Sequence, residues 1–464
     1  MIKKWFFLFL FLAAGVLVNS QTVDMAIAEK AAIQKIAINC FQTDVTTQPA
    51  TIYYTNGTHP LFYFFPLNPS GYIIVAADYQ LPPVIAYSFT NNTDPEGRLL
   101  QLLSYDLSLR QKALEQLPAS IKAKRKAAWE SLLNGKPVNK ERETFLVKTN
   151  WHQDAPYNQF CPIDPLNGNR SIAGCPSVAM GQIVNYHQTI NDVFFTDADD
   201  YYHNYGGRQY WIDNDYATYD FPSFPMLNAY LDTLETHYQN QQTLTNNDVA
   251  AMTFACGVAA TQVYTSSGSG TFGVSQALEA YQKFNFLSAT LLTEADTNVY
   301  SRMAENISNE LPVHLAVVDP AWSSGHNVVV DGHNDENYFH LNFGWGGYSN
   351  GWYLLPDEFP YGLTVLEGAI VDIIPNHVGI SKVNKQTIPC LFPNPAHGEV
   401  YLRQAEGKTT RVEIFATNGL LCRSLECKGT NNTINLSGLE NGMYVVRMEN
   451  NDGVTYHKMI KNGR

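Results

Sequence analysis

The chain has 464 residues, 45% of them hydrophobic and 12% aromatic, which rules out a disordered or fibrous protein and leaves room for two to four domains. Its net charge of −13 is unevenly placed: residues 149–379 carry four basic residues against 25 acidic ones, whereas residues 21–148 carry 13 against 11. The acidic middle excludes nucleic acid as a partner, and seven scattered cysteines, an odd number, exclude a disulfide framework as the organising principle.

In chain order, Lys3 and Lys4 precede an apolar run from Trp5 to Val18 and then Asn19-Ser20-Gln21. This pattern predicts a secretory signal peptide over residues 1–20, cleaved after Ser20. The run is shorter than the ~20 residues that span a bilayer, and no later stretch reaches that length, so no permanent membrane span is expected. Residues 23–37 have a helical apolar stripe, residues 51–65 and 71–77 are β-branched and aromatic like strands, and residues 99–134 return to helical periodicity. Asn134-Gly135-Lys136-Pro137 is a stop signal, and the mostly charged Val138–Glu143 reads as an exposed connector. Ten basic residues fall between Arg110 and Lys148. Two readings of this contrast stay open: solubility of the acidic region outside the cell, or docking of the basic stretch on it.

From Trp151 to about Pro375, helices are expected at 175–188, 274–285 and 298–309, followed by strands at 312–318, 327–331, 337–343 and 352–355. Helices first and a sheet afterwards make an α+β domain. Within it, Gly174-Cys175-Pro176 opens a helix, with Pro176 at the first helical position and Cys175 at the N-cap. A thiol there faces free backbone N–H groups and the positive end of the helix dipole, which favour the nucleophilic thiolate; alone, the pattern more often marks a small buried cysteine. His187 lies twelve residues along the same helix, about 18 Å away at 1.5 Å per residue, and cannot serve Cys175 as base. His326, in Gly325-His326-Asn327-Val328, opens a strand at a sheet edge and can. The next strand brings Asn342 and Trp345, either of which can orient or cover the His326 ring. Gln153 offers an amide that can join the Cys175 N–H in stabilising an oxyanion. There is no H-E-x-x-H, and the spacing of Cys422 and Cys427 fits no zinc site, although those two can pair.

After Asn376 a polar linker with Lys382 and Lys385 leads to short alternating runs at 400–402, 411–415, 433–436, 443–448 and 455–460. Turns at Asn418-Gly419, Asn441-Gly442 and Asp452-Gly453 separate them, a pattern of a small all-β sandwich.

The segments A-G-C-P-S-V-A-M-G-Q-I-V-N-Y-H, G-H-N-V-V-V-D-G and L-N-F-G-W-G-G, in that order, resemble the streptopain family of papain-clan cysteine peptidases. Asn68 to Ser88 resembles that family's inhibitory propeptide, and Cys256 to Gly270 its substrate-side loop. The resemblance implies a papain-like peptidase fold, Cys175 as nucleophile, His326 as base, Gln153 as oxyanion donor and Asn342 and Trp345 as supports. It further implies that Ser266, Ser267 and Gly325 line the substrate site. The chain departs from the family in having Phe343 where a second tryptophan is usual, which takes an indole N–H from the pocket. Phe392-Pro-Asn-Pro-Ala396, Gly442-Met-Tyr444 and Lys458-Met-Ile-Lys461 resemble the C-terminal sorting domain of the type IX secretion system.

The expected organisation is therefore a signal peptide (1–20), an inhibitory α+β prodomain (21–145), a papain-like peptidase (146–378) and a sorting domain (385–464). The implied activity is hydrolysis of protein or peptide substrates outside a Gram-negative cell, reached via the periplasm, by a zymogen whose own prodomain inhibits it. The type IX machinery is the implied export partner, and no metal or organic cofactor is needed. A papain-fold acyltransferase using the same Cys and His, and a binding protein on a silent peptidase scaffold, are the alternatives.

Overall fold

A computed structural model describes residues 22–55, 59–135, 144–293, 295–318, 325–355, 366–376, 390–392, 396–403, 409–417, 419–429, 431–450 and 453–462. The signal-peptide region 1–20, the connector 138–143 and the linker around Lys382 and Lys385 lie outside these residues. Asp24 caps the first helix, α1 (Met25–Asn39), by accepting from the Ile27 N–H at 2.8 Å. Ala28, Ala31, Ala32 and Lys35 recur at helical spacing and form its buried face. Five strands follow: β1 (Thr46–Thr47), β2 (Thr51–Thr55), β3 (His59–Asn68), β4 (Tyr72–Ala76) and β5 (Val84–Ser88). β4 and β5 are buried at every residue. The single helix expected over 99–134 is two, α2 (Arg98–Ala113) and α3 (Ala119–Leu133), broken before Pro118, whose missing N–H and ring clash with the preceding turn cannot continue a helix.

The peptidase region contains α4 (Cys175–His187), the hairpin β6 (Tyr201–Tyr205) and β7 (Arg208–Ile212), and α5 (Tyr216–Tyr219), α6 (Phe224–Gln239), α7 (Asn246–Ala259) and α8 (Val274–Lys283). Then come β8 (Ser288–Leu292), α9 (Val299–Ser308), β9 (Val313–Val318), β10 (Gly325–His333), β11 (Phe339–Asn342), β12 (Gly351–Tyr353) and β13 (Leu366–Ile374). The hairpin, α5, α6, α7, β8 and β13 are additions to the sequence reading. α7 is buried on all sides from Asp248 to Val258, so it has no amphipathic stripe to betray its period.

The strands of both regions form one sheet in the order β1-β3-β4-β5-β12-β11-β10-β9-β13-β8, with β2 paired to β3. Periodicity had separated the two sets, but β5 pairs antiparallel with β12, Trp352 opposite Tyr87 and Tyr353 opposite Ala86. Gly351 permits this approach: a Cβ there would stand 2.6 Å from the Tyr72 hydroxyl and 2.7 Å from the Tyr87 carbonyl oxygen. Strand alternation then divides the core. Leu315, Val317, Val328 and Val330 pack with α1, α2 and the prodomain strands, while Ala316, Val329 and Ile370 pack with α4 and α7 on the opposite face.

Arg110 pairs with Asp106 on its own helix, though it also donates to the Leu354 carbonyl across the junction, and Arg125 donates to Gln80 inside the prodomain. An ion pair that crosses is Lys35–Glu336 at 2.5 Å, with the Lys35 ammonium also over the rings of Tyr87 and Tyr338.

By itself, the tail folds as the expected β-sandwich. One sheet is β14 (Cys390–Phe392), β15 (Glu399–Arg403) and β18 (Asn431–Asn435); the other is β17 (Leu421–Lys428), β16 (Thr409–Ala416), β19 (Gly442–Asn450) and β20 (Gly453–Lys461). Val400, Leu402, Val412, Ile414, Val446 and Met448 fill its core. Cys422 and Cys427 are not joined to each other by a disulfide.

Candidate active site

Cys175 is the first residue of α4 and Gly174 is the cap, one position earlier than the sequence reading placed it. The shift follows from the backbone: Gly174 sits at φ 88°, a conformation that a side chain resists, and a Cβ there would stand 2.6 Å from the Gln262 side-chain oxygen. The loop before the helix is pinned from several sides. Gln262 Nε2 donates to the Ala173 carbonyl at 2.7 Å, Ser177 Oγ donates to it at 2.6 Å, and the Ala173 N–H donates to the Gln153 carbonyl at 2.8 Å. Gln153 is thus buried against the loop residue that lies two positions before the thiol, and its side-chain amide makes no hydrogen bond among the described residues.

His326 is the second residue of β10, 7% exposed. Its Nε2 lies 2.8 Å from the Phe343 carbonyl oxygen, and its ring lies 4.4 Å from the Trp345 ring and 5.8 Å from that of Phe343. A carbonyl oxygen only accepts, so Nε2 carries the proton and Nδ1 keeps the lone pair. The role of orienting His326 therefore falls to a backbone carbonyl, which no side-chain pattern can signal. Asn342 does something else. It donates to the Thr149 carbonyl at 2.8 Å and to Gln182 Oε1 at 3.2 Å, and accepts from Gln182 Nε2 and the Gly344 N–H at 3.1 Å each. It clamps α4 to β11 and steadies the turn that carries Trp345. Trp345 covers His326, as one of the two sequence options had it.

The sulfur of Cys175 receives a hydrogen bond from Asn327 Nδ2 at 3.9 Å, and among the described residues none joins it to His326. Asn327, next to His326 in β10, was not singled out from the sequence; its position beside the histidine was the available signal. Burial pushes the Cys175 thiol up, partly offset by Asn327 and by Arg98 of α2. Burial holds the His326 imidazole down at about 4, against the Phe343 bond that favours protonation, and Arg98 lowers it further. Both groups are neutral near pH 7 in this arrangement.

The remaining expected site residues are spread out. Ser266 donates from Oγ and N–H to the buried Asp164, which Arg208 holds bidentately at 2.8 Å, so Ser266 is tied into a structural ion pair. Ser267 lies in the adjacent turn with Thr265, and Gly325 is the exposed first residue of β10. His187 ends α4 with its ring against Phe286. Among the described residues no three His, Cys, Asp or Glu side chains stand close enough to hold a metal ion, and no helix is long and apolar enough to cross a membrane.

Comparison with known proteins bears on this geometry. Residues 151–353 match the Peptidase C10 family, residues 20–111 the Spi protease inhibitor family and residues 390–462 the secretion system C-terminal sorting domain. Streptopain of Streptococcus pyogenes is 24% identical over 332 residues, covering 66% of this chain and 77% of that protein. The thiol protease/hemagglutinin PrtT of Porphyromonas gingivalis is 28% identical over 313 residues, 62% of this chain and 33% of that protein. A solved fragment of Prevotella intermedia prointerpain A covers 72% of this chain and all of its own at 20% identity, with a TM-score of 0.49. The chain thus carries a cysteine peptidase domain of the C10, or streptopain, family, preceded by a Spi-type propeptide and followed by a type IX sorting domain.

Proposed function

We propose that the protein is a secreted cysteine endopeptidase made as a zymogen, with Cys175 as nucleophile, His326 as general base and acid, and Gln153 as oxyanion donor. The observation that carries this reading is the fixed tautomer of His326: the Phe343 carbonyl holds Nε2–H and leaves the Nδ1 lone pair as the base, on the strand whose next residue touches the Cys175 sulfur. In the reaction, His326 takes the Cys175 proton and the thiolate attacks the peptide carbonyl. The oxyanion is stabilised by the Cys175 N–H and the Gln153 amide, and His326 protonates the leaving amine. Water, deprotonated by His326, then cleaves the acyl-thioester.

Latency belongs to the same reading. α2 and the prodomain strands cover the sheet face that carries Val317 and Val328, and Arg98 stands near both Cys175 and His326. A cation there opposes the imidazolium that the first step forms. Release of the prodomain removes that charge and part of the burial, so the His326 pKa rises toward its ordinary value. The domain limits given above are part of the proposal; the Leu146 and Val147 N–H groups bond Asp331 of β10, which supports a peptidase beginning at about residue 146. The sorting tail supports delivery to the surface or surroundings of a Bacteroidetes-type cell, by way of the periplasm.

The test is hydrolysis of a peptide library by the processed enzyme and its variants. Cys175→Ala and His326→Ala are each expected to abolish cleavage, and the double variant to be no worse than either, because the pair acts as a unit. His187→Ala keeps its activity. Near wild-type cleavage by Cys175→Ala, or additive losses in the double variant, would overturn the dyad.

A further inference from the structure

A second polar chain ends on the Cys175 sulfur, and the dyad does not use it. Asn327 donates to the sulfur through Nδ2, and its Oδ1 lies 2.7 Å from His314 Nε2. His314 Nδ1 in turn lies 3.1 Å from the Tyr281 hydroxyl. An amide oxygen only accepts, so His314 carries its proton on Nε2 and its Nδ1 lone pair accepts from Tyr281. Every hydrogen in the chain therefore points toward the sulfur. His314 and Tyr281 are fully buried, whereas Cys175 and Asn327 are partly exposed at the cleft.

The arrangement follows from the fold. β9 and β10 pair with Ala316 opposite Asn327 and His314 opposite Val329, so both polar side chains emerge on the face that α4 covers, and α8 supplies Tyr281. Burial holds His314 down at about 4, which keeps it a neutral relay at physiological pH. A buried histidine with two partners is ordinarily explained by those partners alone. Here the chain terminates instead on a reacting atom, and an N–H directed at sulfur stabilises the thiolate over the thiol.

We propose that Asn327 is a catalytic residue whose amide N–H aims and stabilises the Cys175 thiolate, with His314 and Tyr281 as positioning residues that fix the direction of that amide. The proposal rests on Cys175 being the nucleophile. The other charged or titratable groups near the sulfur are His326 of β10 and, in the unprocessed chain, Arg98 of α2. Measurement on the processed enzyme isolates the Asn327 contribution from that of Arg98.

The experiment is the rate of alkylation by iodoacetamide between pH 4 and 9, with kcat/KM on a peptide substrate alongside. Asn327→Ala is expected to raise the thiol pKa by about one unit, so that alkylation on the acid limb and kcat/KM both fall about tenfold. Tyr281→Phe keeps the ring and the fold but frees the amide to turn, and about a threefold loss is expected. His314→Gln, which retains an N–H for Asn327 Oδ1, should stay closer to wild type than His314→Leu. An Asn327→Ala profile that overlays the wild type, or moves to lower pH, overturns the proposal. Failure of the underlying reading looks different: cleavage would survive Cys175→Ala whatever the Asn327 profile.

Discussion

Leu99 gives the sharpest test of how the prodomain is held. It is 1% exposed on α2 and lines a void of about 50 Å³ whose far wall is Leu315, Val317, Leu341, Phe343 and Leu366 of the peptidase. At ~24 cal/mol per Å³ such a void already forgoes about 1.2 kcal/mol, so the site has little slack to collapse into. Leu99→Ala removes three carbons, about 2.4 kcal/mol at ~0.8 kcal/mol each, and its vacated volume merges with the existing void. A total near 3 kcal/mol corresponds to about 100-fold weaker inhibition at 1.4 kcal/mol per factor of ten. Some of that loss falls on the prodomain's own fold, because Ile85, Leu102 and Leu103 line the same void, so at least tenfold is expected in the inhibition constant. The assay is inhibition of the processed enzyme by added residues 21–145, with Ile33→Ala, at a site 48% exposed, as the control that changes nothing. A change of less than threefold for Leu99→Ala would refute the view that apolar burial holds the prodomain on the sheet.

The same inhibition constant should weaken only modestly between low and high salt, because an ion pair that crosses the junction, Lys35–Glu336, has its lysine shielded from solvent; a fall of a hundredfold would favour docking by the basic stretch instead. His314 and His326 both sit near pKa 4 in the folded chain against 6.5 unfolded, so the unfolded state binds more protons between those values. Stability should therefore drop as pH falls from about 6.5 toward 4, by up to about 1.4 kcal/mol per pH unit for each histidine, and His314→Gln should flatten the slope seen in urea melts at pH 7, 6 and 5. Truncation after about residue 380 should leave an active peptidase that the native host no longer exports, measured as activity in the medium against activity in the cells; normal export would overturn the sorting role of the tail.

Much of this protein was legible from the chain alone, and for local reasons. A glycine, a cysteine and a proline in sequence write a helix start, Gly325-His326 begins a strand that alternates through Val328 and Val330, and short alternating runs between turns write the tail sandwich. Such signals are carried by neighbours a few residues apart; they put the two candidate reacting groups at a helix start and a strand start, while the peptidase itself was implied by the resemblance of the separated motifs to the streptopain family. Three things depended on residues far apart in sequence. The prodomain and peptidase share one sheet because Gly351 lets β12 meet β5, 263 residues upstream of Gly351 at Ser88, and no periodicity encodes which edge a strand will choose. The orienting partner of His326 is the carbonyl of Phe343, an atom every residue possesses and whose direction is set only by the turn at Gly344. Asn327 gains its meaning only when β9 aligns His314 beside it and α8 closes over both, because a hydrogen-bond chain is defined by distances that tertiary packing alone creates.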